Sequence, residues 1–325
     1  MITSKIVATG AGIPEQVITN DDLAGIVDTS DEWISQRTGI KERHISGGED
    51  LSYYAAKSAR QILERAGIAP EDVELIVVAT VTADYGTPSA ACMVQKEIGA
   101  NKAVAFDITA ACSGFLFALS VADKFIRCGV YKNALVIGGE ILSKIVDWTD
   151  RSTCVLFGDG TAGVFLERCE SQEGILVEEI GSRGDMYQVL TEGHVPPANA
   201  FNQIEPLSRQ DFVYMNGREV FKFATKKIVS SVTKVLEEAG LGAEDIKYFI
   251  PHQANARIVE VAAKKLKIPY ERFYVNIEKY GNTSAASIPI ALNEMNEKGL
   301  LQKGDRIILC GFGGGLTWGT ILIQW

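Results

Sequence analysis

Cys112 is the residue of this chain best placed to act as a nucleophile. It follows the small residues Thr109–Ala111 and opens the segment 113–127, which is apolar on nearly every side and is therefore predicted to be a buried helix. A thiol at the amino end of a helix meets unpaired N–H groups and the positive end of the helix dipole, so we expect its pKa to be lowered. The other interpretation, a small buried hydrophobic residue, is kept for the remaining cysteines: Cys92, Cys128, Cys154, Cys169 and Cys310.

His252 is the histidine best suited to act beside this thiol. It follows the apolar strand predicted over 248–250, and side chains that follow strands gather at one edge of an α/β sheet. His44 lies in a charged stretch and is expected to face solvent, and His194 lies in an irregular segment. A lone histidine is more often structural than catalytic, so the prediction depends on the position of His252 at the strand end.

Asn282 and the glycine-rich segment 311–319 carry groups that could hold an oxyanion. An amide donates hydrogen bonds without changing charge, although Asn282 is equally suited to cap the helix predicted after it. A nucleotide-phosphate loop would need a helix after the glycines, and only a short final strand fits in the remaining chain. The glycine-rich segment is therefore predicted to turn between strands and to present backbone N–H groups.

Apolar strands alternate with helices along the chain. The predicted strands cover 75–79, 103–107, 134–137, 162–166, 248–250, 306–310 and 320–324. The predicted helices cover 51–66, 90–98, 113–127, 218–239, 256–266 and 287–298. This alternation predicts an α/β fold with parallel-rich sheets that are covered on both faces.

An internal repeat indicates two related halves. Residues 62–80 and 235–253 share six identities at a constant offset of 173, and each copy is predicted to be a helix end, a glycine cap, an acidic turn and a buried strand. A duplicated α/β unit explains this match better than chance does. The same offset relates Cys112 to Ala285, so two equivalent strand-to-helix corners would face each other and gather Cys112, His252 and Asn282 into one cavity.

The composition favours a folded protein without metal or nucleic acid. Of the 325 residues 46% are hydrophobic, and a net charge of −9 argues against a general nucleic-acid binder. With three histidines and scattered cysteines, neither a zinc site nor a disulfide framework is expected. The sequence shows no secretory signal and no apolar run of the ~18 residues that a membrane span needs, so a cytoplasmic protein without a membrane partner is expected.

Six motifs resemble the β-ketoacyl-acyl-carrier-protein synthase III family of the thiolase superfamily. They occur in the family's order at 29–34 (TSDEWI), 37–40 (RTGI), 110–115 (AACSGF), 251–255 (PHQAN), 281–286 (GNTSAA) and 313–318 (GGGLTW). The resemblance implies a thiolase-like fold of two duplicated α/β halves in α-β-α-β-α layers. We expect the N-terminal half, with the nucleophile, at 1–170 and the C-terminal half, with His252, Asn282 and the glycine-rich segment, at 171–325.

The resemblance also implies a mechanism. Cys112 would take the acyl group of a short acyl-CoA such as acetyl-CoA, and malonyl-acyl-carrier-protein would then lose CO₂ while His252 and Asn282 bond its thioester oxygen. The carbanion would attack the acyl group, whose oxyanion the N–H groups of Cys112 and Gly314 would hold. The product, a 3-oxoacyl-acyl-carrier-protein, starts fatty-acid biosynthesis. No cofactor is expected, since the coenzyme A thioester is a substrate.

Binding residues follow from the same resemblance. Coenzyme A would contact Trp33, Arg37, Thr38 and Arg151. The acyl pocket would include Phe312 and, across a homodimer interface, Thr87, which stands where many straight-chain enzymes carry phenylalanine. The carrier protein would dock on a basic stripe and the loop after His252, at Arg218, Lys222, Lys226, Gln253, Ala254, Asn255, Ala256 and Arg257. Without the resemblance, Trp33 is a core residue and the stripe an ordinary solvated helix face.

Three other functions stay open at this stage. A polyketide starter synthase or a synthase of the 3-hydroxy-3-methylglutaryl-CoA type would share the cysteine, histidine and asparagine. A cysteine hydrolase would use Cys112 and His252 without condensation. A non-catalytic carrier-binding protein would need none of the three.

Overall fold

Two mixed β-sheets form the centre of the chain. The computed structural model describes residues 2–171, 173–197, 199, 201 and 211–325. The strands in these ranges are β1 Thr3–Gly12, β2 Gln16–Thr19, β3 Glu42–Ile45, β4 Leu75–Ala79, β5 Val104–Ile108, β6 Asn133–Glu140, β7 Gly160–Cys169, β8 Gly174–Ser182, β9 Leu190–Thr191, β10 Tyr214–Met215, β11 Tyr248–Pro251, β12 Arg306–Gly313 and β13 Thr317–Gln324. The helices are α1 Asn20–Ala24, α2 Asp31–Thr38, α3 Leu51–Ala66, α4 Ala90–Ile98, α5 Gly114–Arg127, α6 Gly217–Ala239, α7 Ala256–Leu266, α8 Ile277–Tyr280 and α9 Ser287–Glu297.

The prediction of parallel-rich sheets is wrong. The first sheet has the order β1-β7-β6-β4-β5 and the second β11-β12-β13-β8. Only the pairs β4–β5, β4–β6 and β11–β12 are parallel, and the other four pairs are antiparallel. The reason is that no α-helix lies between β6 and β7 or between β12 and β13, so neither connection supplies the crossover that usually joins parallel neighbours.

The duplication is visible in the elements themselves. At the offset of 173, β6 Asn133–Glu140 corresponds to β12 Arg306–Gly313. The 3₁₀ turn Ala111–Ser113 before α5 corresponds to the turn Ser284–Ala286 before α9. Even the unusual positive φ angles agree, 46° at Ala111 and 48° at Ser284. The strands of the first sheet all end by Cys169 and the later sheet begins at Gly174, an interval that contains the division expected at 170/171.

The packing produces five layers. Helices α5 and α9 lie between the two sheets in one core cluster, which combines Phe115 and Ile288 with Val77 of the first sheet and Leu309 of the second. Helices α3 and α4 cover the outer face of the first sheet, and α6 and α7 cover the outer face of the second. Helix α5 is apolar on nearly all sides because sheets contact it from both directions. The α-β-α-β-α arrangement is confirmed.

Several elements were not predicted, among them β1, β8 and α2. Helix α2 begins where Ser30 accepts a hydrogen bond from the N–H of Trp33 and ends at Gly39, whose φ of 82° favours glycine. It carries Trp33 and Arg37 at one side of the molecule. Among the described residues, no helix combines the length and apolarity that a membrane crossing requires.

Candidate active site

A cavity of about 720 Å³ opens at the turns that precede the two central helices. Its lining includes Cys112, His252 and Asn282, which the sequence predicted to share a site. Ser284 and Phe312 are also part of the lining. The two halves of the chain therefore contribute to one site.

Cys112 lies in the middle of the 3₁₀ turn between β5 and α5. The neighbouring Ser113 hydroxyl bonds both the carbonyl of Ala110, at 2.9 Å, and the Thr317 hydroxyl, at 2.7 Å. Thr317 in turn donates to the carbonyl of Gly314 at 3.0 Å. These buried bonds attach the turn with the thiol to the glycine-rich segment of the other half.

The expected lowering of the Cys112 pKa is wrong for the resting protein. Burial raises the pKa of this thiol to about 12, the nearby carboxylate of Glu140 adds to the rise, and bonds from Ser284 and the local backbone oppose it. The position at the start of α5 is as predicted, but the depth of burial could not be read from it. At neutral pH Cys112 is a thiol that must lose its proton in order to react.

His252 directly follows β11 and is 2% exposed. Its backbone N–H donates to the carbonyl of Cys310 at 2.8 Å, and its ring Nδ1 bonds the Ser287 hydroxyl at 2.6 Å. The ring of Phe312 meets it edge-on, with 5.4 Å between centroids. Burial lowers the pKa of His252 to about 3, so the imidazole is neutral at physiological pH and its Nε2 is the nitrogen left for a substrate.

Asn282 does not cap α9, whose N-cap position is Ala286. Its backbone is fixed to the N-terminal half, because its N–H donates to Leu156 and its carbonyl accepts from Gly158. Its side-chain Oδ1 accepts from the N–H of Ser284 at 2.9 Å. The amide orientation is therefore fixed, and Nδ2 is the group available as a donor.

The glycine-rich segment turns between β12 and β13, as predicted. Gly313 packs against the start of α5 so closely that an added Cβ would lie 2.6 Å from the Cys112 nitrogen. The next residue, Gly314, lines the cavity. The segment thus places backbone groups beside the thiol.

Comparison with known proteins identifies the family. Profiles of 3-oxoacyl-(acyl-carrier-protein) synthase III match residues 106–184 and, for its C-terminal part, 236–325. The β-ketoacyl-(acyl-carrier-protein) synthase III of Clostridium acetobutylicum is 53% identical, over 100% of this chain and 99% of its own. The crystal structure of 3-oxoacyl-(acyl-carrier-protein) synthase III from Aquifex aeolicus is 47% identical, with a TM-score of 0.92 over 99% of this chain and 100% of its own.

The chain belongs to the 3-oxoacyl-(acyl-carrier-protein) synthase III family. It is a β-ketoacyl-acyl-carrier-protein synthase of this type, an acyltransferase of the condensing class with a thiolase fold. A priming β-ketosynthase from a polyketide pathway is also similar, at 32% identity and a TM-score of 0.91 over 98% of this chain and 95% of its own.

The residues expected to bind coenzyme A in this synthase lie together. Arg37 and Thr38 line the cavity. The half-buried Trp33 adjoins them, with the guanidinium carbons of Arg37 and Arg151 at 4.9 Å and 5.3 Å from its ring centroid. Arg151 also pairs with Asp28 at 3.3 Å on the surface. Trp33 is therefore not simply a core residue, since cations stand against an aromatic face that a flat ligand could also use.

The two residues expected in the acyl pocket differ in position. Phe312 lines the cavity beside His252. Thr87 is exposed and does not line the cavity of its own chain. A role in a partner's pocket stays a prediction.

Of the eight residues expected to dock the carrier protein, four are exposed and three, Ala254, Asn255 and Ala256, are half-buried. Arg218, Lys222 and Lys226 lie on the solvent side of α6, whose first turns also line the cavity, and Arg257 lies at its rim. Gln253 is the exception, because it is 2% exposed and its amide donates to the carbonyls of Pro251 and Tyr274. Its side chain holds the loop together and is not a contact for a partner.

Sequence reasoning missed or misplaced other polar groups. The prediction that His44 faces solvent is wrong: its ring bonds the carbonyl of Pro14 at 2.7 Å and stacks on Tyr280. Ser284 and Ser287, which orient Asn282 and His252, were predicted only as parts of a motif and a helix. The offset of 173 was a signal for Ser284, because it equates that residue with Ala111 beside Cys112.

Proposed function

We propose that this enzyme joins the acyl group of an acyl-CoA to malonyl-acyl-carrier-protein through an acyl-Cys112 intermediate. The observation that carries the proposal is the meeting of Cys112, His252 and Asn282 at one cavity in a chain with the family's fold. A hydrolase would transfer the acyl group to water, whereas the family to which the chain belongs condenses it, so family membership favours condensation.

In the first half-reaction the sulfur of Cys112 attacks the thioester carbonyl. A new C–S bond forms, the C–S bond to coenzyme A breaks, and coenzyme A leaves as a thiol, so that the proton lost by Cys112 is balanced by the proton gained by the leaving group. The N–H groups of Cys112 and Gly314 hold the oxyanion. One such donor is typically worth ~3 kcal/mol of transition-state stabilisation.

In the second half-reaction a malonyl thioester replaces coenzyme A. With the Ser287 hydroxyl donating to Nδ1, the Nε2 of His252 carries a proton, and it bonds the thioester oxygen together with Nδ2 of Asn282. Loss of CO₂ leaves an enolate, whose carbon attacks the acyl carbonyl and releases the Cys112 thiolate. Because burial keeps His252 neutral, it stabilises the enolate by hydrogen bonding.

The proposal also assigns binding sites to the two substrates. The adenine of coenzyme A stacks on Trp33 against Arg151, and the acidic carrier docks on the basic stripe of α6 and on Arg257. The product would start fatty-acid synthesis in the cytoplasm. No resident cofactor is needed, because decarboxylation drives the new C–C bond.

A homodimer is also part of the proposal. Strand β5 is the outer strand of the first sheet, and Val104 at its start is 47% exposed. An uncovered edge strand can pair with its copy across a twofold axis. The exposed Thr87 loop would then reach the partner's acyl pocket.

The test offers the purified chain a panel of straight and branched acyl-CoAs with malonyl-acyl-carrier-protein and identifies the products by mass. We expect 3-oxoacyl-carrier products and, with acyl-CoA alone, one acyl group on the wild type. Cys112→Ala should gain none, whereas Cys92→Ala, which removes an exposed thiol, should be acylated normally. Free acid without a condensed product would favour a hydrolase instead. Condensation with only long or unusual primers would favour a starter synthase of the polyketide type, the second candidate because of its 32% identity.

A further inference from the structure

Arg43 is a charged side chain that is wholly enclosed by the protein. It lies on β3 and is 0% exposed. Its Nη2 donates to the carbonyl of Val155 at 2.9 Å and its Nη1 to that of Ile18 at 3.2 Å, while the buried Nε bonds no described residue. In the part of the chain that the structure describes, no carboxylate forms an ion pair with it. A buried charge without a counter-ion is destabilising, so a role for its two carbonyl bonds explains why an arginine and not an apolar side chain lies here.

Val155 begins the segment 155–158, which holds the backbone of Asn282. The N–H of Asn282 donates to the carbonyl of Leu156 at 2.8 Å, and its carbonyl accepts from the N–H of Gly158 at 3.1 Å. The segment and Asn282 thus pair as two neighbouring strands do. Arg43 binds the carbonyl directly before the one that binds Asn282, so a displacement of the segment would also displace the asparagine.

The side chain of Arg43 lies beside both chains of this pairing. A Cβ added at Gly158 would lie 3.1 Å from the Cβ of Arg43, and one added at Gly281 would lie 3.4 Å from it. Gly281 directly precedes Asn282, and its φ of 64° favours glycine. The arginine therefore supports Asn282 both through the segment that binds it and through the residue before it.

The other two reacting groups are held by different bonds. The turn with Cys112 is bonded to the glycine-rich segment, and the ring of His252 is bonded to the hydroxyl of Ser287. The guanidinium of Arg43 takes no part in these bonds, and Arg43 does not line the cavity. Its loss should therefore disturb one of the three groups and leave the other two in place.

We propose that Arg43 positions Asn282 for the condensation step by holding the segment 155–158. It is a positioning residue, since it contacts neither the cavity nor the nucleophile. Its charge strengthens the bond to the carbonyl of Val155, because hydrogen bonds from ionised donors are about twice as strong as neutral ones. Its planar fork attaches that carbonyl and the carbonyl of Ile18 on β2 to one rigid group. The inference rests on the proposed function and deepens it, because it assigns the support of the amide that bonds the malonyl thioester.

Three variants separate this role from general support of the fold. Arg43→Met fills much of the same space but removes the two bonds and the charge. Arg43→Lys keeps the charge on a single nitrogen and cannot reproduce the fork. The matched control is Arg65→Met, because Arg65 also donates to a backbone carbonyl, that of Thr9 at 3.0 Å, and does not line the cavity.

The measurement compares the two half-reactions in each variant. Acylation by acyl-CoA is followed by intact mass, condensation is started by adding malonyl-acyl-carrier-protein to the preformed acyl-enzyme, and melting temperatures check folding. We expect Arg43→Met to acylate within about threefold of the wild type but to condense at least about tenfold more slowly, because a misplacement of about 1 Å can cost about a hundredfold in rate. Arg43→Lys should lose less of the condensation rate than Arg43→Met, and Arg65→Met should leave both rates unchanged.

A double variant tests whether Arg43 acts through Asn282. Asn282→Ala alone should slow condensation. Adding Arg43→Met to it should slow condensation no further, because two residues that act through one contact are not additive. Additive losses would show that Arg43 acts by another route and would overturn the proposal.

Equal slowing of both half-reactions in folded Arg43→Met also overturns the proposal, as does unchanged condensation. Should Arg43→Met not fold, Arg43→Lys decides by the same comparison, and failure of both to fold assigns the arginine to stability alone and overturns its role at the site. A wild type that does not acylate Cys112, or does not condense, refutes the proposed function instead. The two failures are distinguishable, because the role of Arg43 is judged only by variants of a wild type that performs both half-reactions.

Discussion

Substitution of Gly313 by alanine should disable the acylation of Cys112. The added Cβ would lie 2.6 Å from the nitrogen of Cys112, 3.0 Å from that of Ser113 and 3.1 Å from the carbonyl oxygen of Ala110. All three are backbone atoms, so no side chain can rotate away. The 3₁₀ turn that carries the nucleophile must move instead.

The size of the effect follows from these distances. To restore an ordinary contact of about 3.4 Å, the turn must shift by roughly 0.8 Å, and a misplacement of about 1 Å in a reacting group can cost about a hundredfold in rate. Overpacking of this kind also costs about 1–3 kcal/mol of stability. We therefore expect acylation about a hundred times slower in a protein that still folds.

Gly314→Ala is the matched control. Its Cβ would lie 3.4 Å from the Cβ of Ala111 and from the carbonyl oxygen of Leu190, which is ordinary contact, and the proposed N–H donor is kept. The assay is the time course of acyl-enzyme formation by intact mass, with melting curves for both variants. The reasoning is refuted if Gly313→Ala acylates within threefold of the wild type, or if Gly314→Ala loses as much.

Three further predictions separate the half-reactions. Ser287→Ala removes the bond to Nδ1 of His252, worth about 1 kcal/mol, so condensation should slow about fivefold while acylation, measured separately, is unchanged. Equal slowing of both would speak against the role given to His252. Trp33→Ala removes a stacking face worth about 0.5–2 kcal/mol, so KM for acyl-CoA should rise about two- to thirtyfold in steady-state kinetics with little change in kcat. A change in kcat alone would contradict this. Lys222→Glu should raise KM for the carrier substrate and spare acylation by acyl-CoA, whereas Lys264→Glu, an exposed reversal on α7, should affect neither. Loss of both half-reactions in Lys222→Glu would argue against docking on α6.

The sequence predicted the elements whose ends are determined by residues next to them in the chain. Helices α3, α4 and α7 have the bounds that were predicted, because Gly67 and Gly99 adopt positive φ at the ends of the first two and Asn255 caps the start of the third. Strand β1 was missed because its stability is not local. Its polar residues Thr3 and Ser4 are buried by partners more than a hundred positions away.

The same distinction holds for the site. Cys112, His252 and Asn282 follow strands or precede helices, and the internal offset indicated that their corners meet. The buried carboxylate of Glu140 could not be found in this way, because the Ser284 hydroxyl that it accepts a hydrogen bond from lies 144 positions later in the sequence. The sign of the Cys112 pKa shift was wrong for a related reason: a helix terminus is visible in a sequence, but the depth at which it lies is not.

The twin corners at Ala111 and Ser284 have a consequence for the history of this fold. If both halves descend from one unit, an ancestral pair of identical subunits would have presented two equivalent corners to a shared cavity. Fusion allowed each corner to change independently on an almost unchanged backbone. One acquired the thiol, while the other, with Ala285 at the equivalent position, became its support.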